Sequence, residues 1–419
     1  MEKTQKGILL MGIVFCLLIT LQGVSAADYY VNNDTTHKNI SDWMKNSAKN
    51  GDNLIFNSSS YELTNTLVIS KSVNIKSNKN TEINFYLDKN MFYITAKSVN
   101  FTNLRLKHVS EGKDYSTSGK YGMIVAKGDF KQINIKNTNI NFQINNDNLQ
   151  VLFDRMPGYF PPQIWFSAIK INNWKGNIQK CNISTKGELC SGIDVENWKG
   201  NIINSKIRTE GKNNYFTTIK VIKWKGNLIN SSISSCGTSS NVIHGDFWTG
   251  KISDSKIYSI FTGKFQLSEI LTGIYLPNSK GLIEKSIIKY PYGYAVMISD
   301  NVKIEKSKLS SKKGFKKILR CRPDLMVNHV SKSKNTYDIS LHNQGYGKSK
   351  PFNIIITTGT GKILKKVKIK SIMGDRYEFV KIKLPMKYAN KYYTKYIQFD
   401  NYKQNKKDFK DNYFYEFKF

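Results

Sequence analysis

A tryptophan turn that returns at a nearly constant interval constrains the fold of this chain more than any other feature. The segments NWKGN, NWKGN, KWKGN and FWTGK place their tryptophans 24, 26 and 24 residues apart. The aligned columns hold tryptophan (Trp174, Trp198, Trp224, Trp248), glycine (Gly176, Gly200, Gly226, Gly250) and an aliphatic residue (Ile178, Ile202, Leu228, Ile252). A motif repeated at such an interval indicates a solenoid, in which each repeat packs against its neighbours.

A second rule extends this repeat beyond the tryptophans. Each aliphatic residue is followed three positions later by a small residue, and two positions after that by another aliphatic residue. The small and second aliphatic residues are Cys181 and Ile183, Ser205 and Ile207, Ser231 and Ile233, and Ser255 and Ile257. The rule also fits Ile135, Thr138 and Ile140 upstream, and Ile283, Ser286 and Ile288 and then Ile304, Ser307 and Leu309 downstream. The repeat therefore covers at least seven units.

The repeat length selects the fold class. Helical hairpin repeats need about 33 residues or more, and the leucine ladder of leucine-rich repeats is absent. Apolar residues alternate with period two, as at Ile193 and Val195, which indicates short strands. We therefore predict an all-β chain built on a parallel β-helix, with coils about 4.8 Å apart. The glycines would allow a tight turn, and the tryptophans would form either a packing ladder or an aromatic strip that binds sugars.

The first residues have the pattern of an export signal. Lys3 and Lys6 form a basic start, residues 8–21 an apolar run, and Val24-Ser25-Ala26 a small-residue cleavage site. We expect cleavage near Ala26, a secreted or cell-surface location, and no membrane span in the mature form, because the apolar run is shorter than the roughly 20 residues that cross a bilayer. An uncleaved N-terminal anchor is the alternative.

Amphipathic helical spacing from Ile40 to Ala48 is followed by Gly51-Asp52, an apolar strand, Tyr61, and then LVISKSVNI from Leu67. This frame resembles the opening of adhesin-like right-handed β-helix surface proteins of methane-producing archaea and of related pectate-lyase-like proteins. The resemblance implies a right-handed parallel β-helix over residues 27–321. It also implies that a short N-terminal helix caps the solenoid and protects its edge from other chains.

The pattern changes near Cys321. Residues 322–419 read as alternating strands broken by Asn-Gln-Gly and Gly-Thr-Gly turns, which predicts a β-sandwich. Asp324-Leu325, the turn from Asn343 and Pro351-Phe352 resemble the frame of CARDB, an Ig-like module of bacterial and archaeal surface proteins. The segment NYKQNKKDFKDN stands where that family has an acidic loop, so metal binding by this loop is not expected.

Charge and cysteine content limit the partners. The formal net charge of +33 favours polyanions, although a lysine bias of the genome would produce the same excess. An exported chain seldom meets nucleic acid, so we expect an acidic polysaccharide or cell-wall polymer as the main partner, and other surface proteins as further partners. Cys181, Cys190, Cys236 and Cys321 lack the spacing of a zinc site. No metal or cofactor is predicted, and the redox state of the thiols stays open.

The sequence offers only a few candidates for catalytic residues. If Ile193 and Val195 point inward, Asp194 and Glu196 point outward, with His244 and Asp246 two coils further along. Carboxylates beside a histidine support acid and base chemistry on a glycosidic bond. The ladder Lys170, Asp194, Lys220, His244 is equally what a solvated sheet uses to neutralise charge. The paired-aspartate elements of polygalacturonases and the acidic calcium cluster of pectate lyases are missing.

The largest irregularity is an insertion. Ile178 follows Ile135 by 43 positions where the repeat spacing is about 24, and the excess falls in residues 142–166. Long loops that interrupt a regular scaffold often carry binding. We predict that Tyr159, Phe160 and Trp165 stack on sugar rings while Arg155 binds a carboxylate. The alternative is that these aromatic residues fold the loop back onto the coil.

Together these features predict an exported, adhesin-like cell-surface protein whose β-helix rod presents a binding surface. Its second unit would join the rod to other surface components. The alternatives are a carbohydrate-active enzyme of the pectate-lyase superfamily, either a polysaccharide lyase or a glycoside hydrolase, and a passive wall subunit. Enzymatic activity is the less favoured reading.

Overall fold

The computed structural model describes residues 26–111, 121–145, 166–187, 190–211, 217–237, 241–260, 272–345, 347–358, 362–374, 376–385, 395–400 and 415–417. The signal segment before residue 26 and most of the predicted insertion lie outside these ranges. Within them the chain is almost entirely β-structure, with a single helix, α1 (His37–Asn46). The all-β prediction is therefore confirmed.

The strands follow in chain order. The first fifteen are β1 (Asp28–Val31), β2 (Asn53–Phe56), β3 (Ser60–Glu62), β4 (Leu67–Ile69), β5 (Val73–Ser77), β6 (Glu82–Phe85), β7 (Phe92–Ile94), β8 (Ser98–Thr102), β9 (Arg105–Ser110), β10 (Gly122–Ala126), β11 (Lys131–Lys136), β12 (Asn139–Ile144), β13 (Phe166–Lys175), β14 (Ile178–Gln179) and β15 (Asn182–Lys186). The next sixteen are β16 (Cys190–Lys199), β17 (Ile202–Ile203), β18 (Lys206–Glu210), β19 (Ile219–Lys225), β20 (Leu228–Ile229), β21 (Ser232–Cys236), β22 (Ile243–Gly245), β23 (Thr249–Ser253), β24 (Lys256–Ile260), β25 (Thr272–Leu276), β26 (Lys280–Glu284), β27 (Ile287–Tyr290), β28 (Tyr294–Ile298), β29 (Val302–Glu305), β30 (Lys308–Ser311) and β31 (Ile318–Arg320). The last seven are β32 (Leu325–Ser333), β33 (Thr336–Asn343), β34 (Phe352–Thr358), β35 (Ile363–Ile369), β36 (Arg376–Lys383), β37 (Lys395–Asp400) and β38 (Tyr415–Phe417).

The strands up to β31 form two long sheets, of 21 and 10 strands, and their described pairings are parallel. Each coil contributes three strands, for example β16, β17 and β18, and each strand pairs with its counterpart in the next coil. Trp174 pairs with Trp198, and Trp198 with Trp224, so the aligned sequence columns are spatial columns. This is the arrangement of a β-helix-like solenoid.

One hydrophobic core runs through the solenoid, and the tryptophans belong to it. Trp174, Trp198, Trp224 and Trp248 are at most 1% exposed. The first two rings stack with centroids 4.5 Å apart and planes at 4°, and the second and third at 5.1 Å and 6°. Because the rings are buried, the hypothesis of a sugar-binding tryptophan strip is wrong and the packing ladder is correct.

The constant spacing of tryptophan and glycine from one repeat to the next has a steric reason. The indole N–H of Trp224 donates to the carbonyl of Gly200 at 3.0 Å, and that of Trp198 donates to Gly176 at the same distance. A Cβ on Gly226 would overlap that same Gly200 oxygen and lie 2.7 Å from the Trp224 indole nitrogen. Gly176 does have the positive φ expected of a tight turn, at 132°. At Gly200 and Gly226 the requirement is close approach between coils.

The column of small residues forms a second ladder. The backbone N–H of each member donates to the hydroxyl of the next, as in Ser205 to Ser231 at 3.1 Å and Ser231 to Ser255 at 3.2 Å. Each hydroxyl donates in turn to the carbonyl two residues earlier, as Ser231 does to Ile229 at 2.8 Å. The residue before each small residue has positive φ: Asn137, Lys180, Asn204, Asn230, Asp254, Lys285 and Lys306. This left-handed residue turns the chain into the ten-stranded sheet.

A third ladder consists of asparagines on the outer surface. Asn74, Asn100 and Asn134 pass amide hydrogen bonds from coil to coil at 2.7 and 2.9 Å. The same column continues through Asn177, Asn201 and Asn227, where each side-chain oxygen accepts the backbone N–H of the next coil. These bonds satisfy the backbone at the turn after each tryptophan.

Helix α1 sits at the N-terminal end of the solenoid, as predicted, but begins earlier than Ile40. Thr36 is its N-cap and forms a capping box with Asn39, while Ile40 and Met44 enter the solenoid core. The helix contacts β4, which pairs with β7 on its other side. It therefore covers the first strand of its column.

The strands after residue 322 form two antiparallel sheets, β32-β33-β36 and β35-β34-β37-β38. Residues of both, including Leu341, Tyr337 and Ile356, share a hydrophobic core separate from that of the solenoid. The buried Asn343 of the predicted Asn-Gln-Gly turn donates to the carbonyls of Gly347 and Ile372 at 2.8 and 3.0 Å and accepts from Asp324 N–H at 2.8 Å. Its side chain thus holds three segments together.

Candidate functional site

The predicted charged column exists on the face formed by β13, β16, β19 and β22. In register order it contains Lys170, Asp194, Lys220 and His244, and Tyr275 of β25 follows. The Lys170 ammonium lies 3.9 Å from an Asp194 carboxylate oxygen. Positive and negative charges therefore alternate along the column, which favours the strand pairing.

His244 and Asp246 have shifted titration behaviour. Burial and, to a smaller extent, the nearby charge of Lys220 together lower the pKa of His244 to about 4, so the imidazole is neutral at neutral pH. Its ring lies 4.8 Å from that of Tyr275. Burial raises the pKa of Asp246, although hydrogen bonds from the Asn278 amide at 2.9 Å and from Phe247 N–H at 3.1 Å oppose this.

The strand register places the candidate catalytic residues on different coils of the solenoid. Asp194 is half-buried and Glu196 exposed, and they lie two positions apart on β16. Lys220 stands between Asp194 and His244, so these two side chains belong to coils about 10 Å apart. His244 and Asp246 are likewise two positions apart, within and just after β22.

Pairing of Ile135 with Ile178 in β11 and β14 confirms that the extra residues lie between these adjacent coils. The predicted sugar-binding residues Arg155, Tyr159, Phe160 and Trp165 fall outside the described residues. Their role stays a prediction.

The structure reveals a cationic column that the sequence reasoning missed. Lys175, Lys199 and Lys225 are the lysines of the Trp-Lys-Gly turns, and they pair in register across β13, β16 and β19. All three are exposed. The repeated lysine was visible in the aligned motif, but only the register shows that these side chains stack directly on one another. We call this set the lysine column.

An exposed aromatic ring stands at one end of the lysine column. Phe130 is 40% exposed, and the ammonium groups of Lys199 and Lys175 lie 4.8 and 5.9 Å from its ring centroid. The turn that carries Phe130 is held by a hydrogen bond of 2.6 Å from the Asn173 amide to the carbonyl of Gly128. The ring is thus fixed beside the lysines.

The lysine column concentrates positive charge in a narrow line. Within the described ranges its three lysines make no ion pair with a carboxylate. Like charges directly opposite on neighbouring strands repel each other by a few tenths to about 1 kcal/mol. Lysines on strands about 4.8 Å apart line up positive charge that attracts a linear polyanion running along the solenoid axis.

The described ranges contain no group of three or more histidine, cysteine or acidic side chains arranged to hold a metal. Cys181 and Cys321 are free thiols, and burial raises the pKa of Cys181 to about 11 and that of Cys321 to about 12. Among the described helices, none is long and apolar enough to cross a membrane.

Comparisons with known proteins give little. No protein-family model matches the chain, and no curated protein matches it. Among solved structures it is similar to a solution NMR structure of a "putative cell surface protein (272-376 domain)" from Methanosarcina acetivorans, at 18% identity and a TM-score of 0.20. That match covers 22% of this chain and 87% of the other. At this level the similarity carries no conclusion about fold or function.

Proposed function

We propose that this chain is an exported, adhesin-like cell-surface protein whose rod binds an acidic polysaccharide or cell-wall polymer through the lysine column. The observation that carries this proposal is the in-register stack of Lys175, Lys199 and Lys225 beside the exposed ring of Phe130. Residues 27–321 form the rod, and residues 322–419 form a second unit that contacts other surface components.

The chemistry of the column fits a carboxylated sugar chain. Ammonium groups attract carboxylates, and an exposed aromatic ring packs against the apolar face of a sugar. The exposed Glu196 lies on the same strand as Lys199, so negative charge borders the column. This border favours a narrow polymer over a broad anionic surface. Because the ladders fix the coils, the backbone spacing of the three lysines is set before binding, and only their side chains lose freedom when a polymer binds.

Binding to polygalacturonate as the probe tests this proposal. We expect the triple variant Lys175→Gln, Lys199→Gln, Lys225→Gln to bind about tenfold more weakly at moderate salt, because each exposed ion pair contributes up to about 1 kcal/mol. The matched control Lys45→Gln, Lys303→Gln, Lys313→Gln removes the same charge from exposed lysines elsewhere. If both triple variants lose affinity equally at every salt concentration, the attraction is diffuse and the column is not the site.

The insertion is proposed as a second contributor to specificity. Arg155, Tyr159, Phe160 and Trp165 combine a guanidinium suited to a carboxylate with rings suited to sugar faces. Replacing Arg155, Tyr159 and Trp165 by alanine should weaken polygalacturonate binding and leave thermal stability nearly unchanged. A loss of stability would show instead that the loop packs on the coil.

A carbohydrate-active enzyme of the pectate-lyase superfamily is the second candidate. The shifted pKa values of His244 and Asp246, on one strand end of the charged face, favour it, because perturbed groups cluster at catalytic sites. Incubation with polygalacturonate, alginate and hyaluronan, followed by detection of unsaturated or reducing ends, decides between the two. Product that disappears in His244→Gln would establish the enzyme.

The family and the location are part of the same proposal. The frame around Ile40 and Leu67 resembles right-handed β-helix adhesin-like proteins, and the later strands resemble CARDB. Intact-mass measurement of the protein secreted by an expression host tests the export signal. We expect a mature N-terminus at Ala27, and retention of residues 1–26 would contradict it.

A further inference from the structure

A groove follows the corner where the chain turns into the ten-stranded sheet. It has a cavity volume of about 520 Å³ and crosses several coils. Its polar walls include Lys180, Lys206 and Lys256, the amides of Asn204 and Asn230, and the carboxylate of Asp254, so lysines outnumber acids by three to one. We call it the corner groove. Its volume falls within the range of about 300–1,000 Å³ typical of small-ligand sites.

The corner groove is a repeating structure. Each coil supplies the left-handed residue of the corner, such as Lys180, Asn204 and Asn230, and the first residue of the next strand. These first residues pair in register as Asn182, Lys206, Ser232 and Lys256. The groove therefore runs along the solenoid axis and offers a polar group from each column about every 4.8 Å, with Lys206 and Lys256 two coils apart.

The side chains of the groove are available to a ligand. Lys180, Lys206 and Lys256 have no ion pair with a described carboxylate. The amide N–H of Asn230 donates to the side-chain oxygen of Asn204 at 2.8 Å. That bond leaves an N–H of the Asn204 amide and the oxygen of the Asn230 amide for a ligand, as one donor and one acceptor at these two coils.

This combination identifies the chemical class of the ligand. Ammonium groups select acidic groups, while paired amide donors and acceptors suit hydroxyls that both donate and accept. A chain that repeats acids and hydroxyls along its length is an acidic glycan. An acidic peptide would supply the charge but few hydroxyls.

The corner groove and the lysine column are separate tracks. Lys199 and Lys206 belong to the same coil and flank the short strand β17 (Ile202–Ile203). Both tracks run along the axis because both are built from in-register columns. We propose that the corner groove binds a second acidic glycan chain, so that the rod bridges two chains. The bridging rests on the proposed function of the lysine column.

Titration calorimetry of the full-length protein with short oligogalacturonates tests the proposal. We expect two sites in the parent, with one lost in Lys180→Gln, Lys206→Gln, Lys256→Gln and the other lost in the column triple variant. With long polygalacturonate, light scattering should rise sharply for the parent at a protein excess and about tenfold less for the groove variant. The control Lys45→Gln, Lys303→Gln, Lys313→Gln should scatter as the parent does.

The outcomes separate the two proposals. A groove variant that keeps both oligomer sites and scatters like the parent overturns the corner groove as a binding track. A column variant that keeps both sites overturns the proposed function and leaves the groove in place. If an acidic peptide such as polyglutamate competes as well as oligogalacturonate at the groove, the assignment to a glycan is wrong. Circular dichroism of each variant verifies folding, and Asn204→Ala with Asn230→Ala repeats the groove test without any change of charge.

Discussion

Replacing Trp198 by phenylalanine measures what the tryptophan ladder contributes to stability. The ring is 1% exposed, stacks on Trp174 and Trp224, and donates to the carbonyl of Gly176 at 3.0 Å. Phenylalanine keeps an aromatic ring in the column but removes the N–H donor and part of the stacked area. The substitution therefore isolates the two features that are specific to tryptophan.

The magnitude follows from two losses. The hydrogen bond to the Gly176 carbonyl is partly buried, so losing the donor costs about 1–2 kcal/mol, the lower part of the range for a buried group. The smaller ring leaves part of the space between two stacked indoles empty, and because truncating a core aromatic to alanine costs about 3–5 kcal/mol, the partial truncation costs about 1–2 kcal/mol. We expect Trp198→Phe to lower the free energy of unfolding by about 2–4 kcal/mol.

Equilibrium unfolding in urea, followed by circular dichroism, is the assay, because the indole fluorescence itself changes with the substitution. The control is Phe130→Leu, since this ring is exposed and its replacement should change the free energy of unfolding by less than about 0.5 kcal/mol. A Trp198→Phe variant as stable as the control would refute the ladder. A change in the urea dependence would instead signal loss of cooperativity between coils.

Two further predictions concern the same core. Gly226→Ala should destabilise the solenoid by several kcal/mol or prevent folding, because a Cβ at residue 226 overlaps the Gly200 carbonyl. The control Lys223→Ala, at an exposed position of the same turn, should stay within about 0.5 kcal/mol of the parent in thermal unfolding. Burial lowers the pKa of His108 to about 4, below the value of about 6.5 in the unfolded chain, so the stability tied to the neutral imidazole is present above pH 6.5 and is lost as the pH falls towards 4. Over that window the free energy of unfolding of the parent should fall by up to about 3 kcal/mol more than that of His108→Phe. Parallel pH profiles of the two proteins would contradict this.

The repeat was readable because its signals are local and periodic. Tryptophan, glycine and aliphatic columns at a fixed interval predicted the coil, and Ile135 and Ile178 marked the insertion although many residues separate them. The helix start was less visible. The capping box uses Thr36 and Asn39, and asparagine at this position is a weaker signal than the usual glutamate or glutamine.

The surface tracks could not be read in advance, because they depend on which coil neighbours lie in register. The sequence motif of a lysine after a tryptophan is the same whether or not the lysines of neighbouring coils lie side by side. The left-handed corner residues were likewise hidden, since lysine and aspartate occupy it as well as asparagine, at Lys180 and Asp254. Here the ladders around the corner override the usual preference for glycine.

The lysine column should favour binding at the expense of stability, and the variant Lys225→Gln tests this. Lys225 pairs with Lys199 on one side and with Thr249 on the other, so its removal relieves one like-charge contact. Such a contact costs a few tenths of a kcal/mol, so the variant should be slightly more stable than the parent at low salt, with the difference vanishing at high salt. Polygalacturonate affinity should fall in the same variant, because the protein has lost one ammonium group that attracts the polymer. The bound polymer also no longer gains from screening the repulsion between Lys225 and Lys199. Lys303→Gln is the control, since Lys303 pairs with Leu282 and has no such contact there. Thermal unfolding at two salt concentrations, alongside the binding assay, measures both effects. If Lys225→Gln is less stable than the parent at low salt, or binds equally well, then the lysines of the column do not act as one charged row.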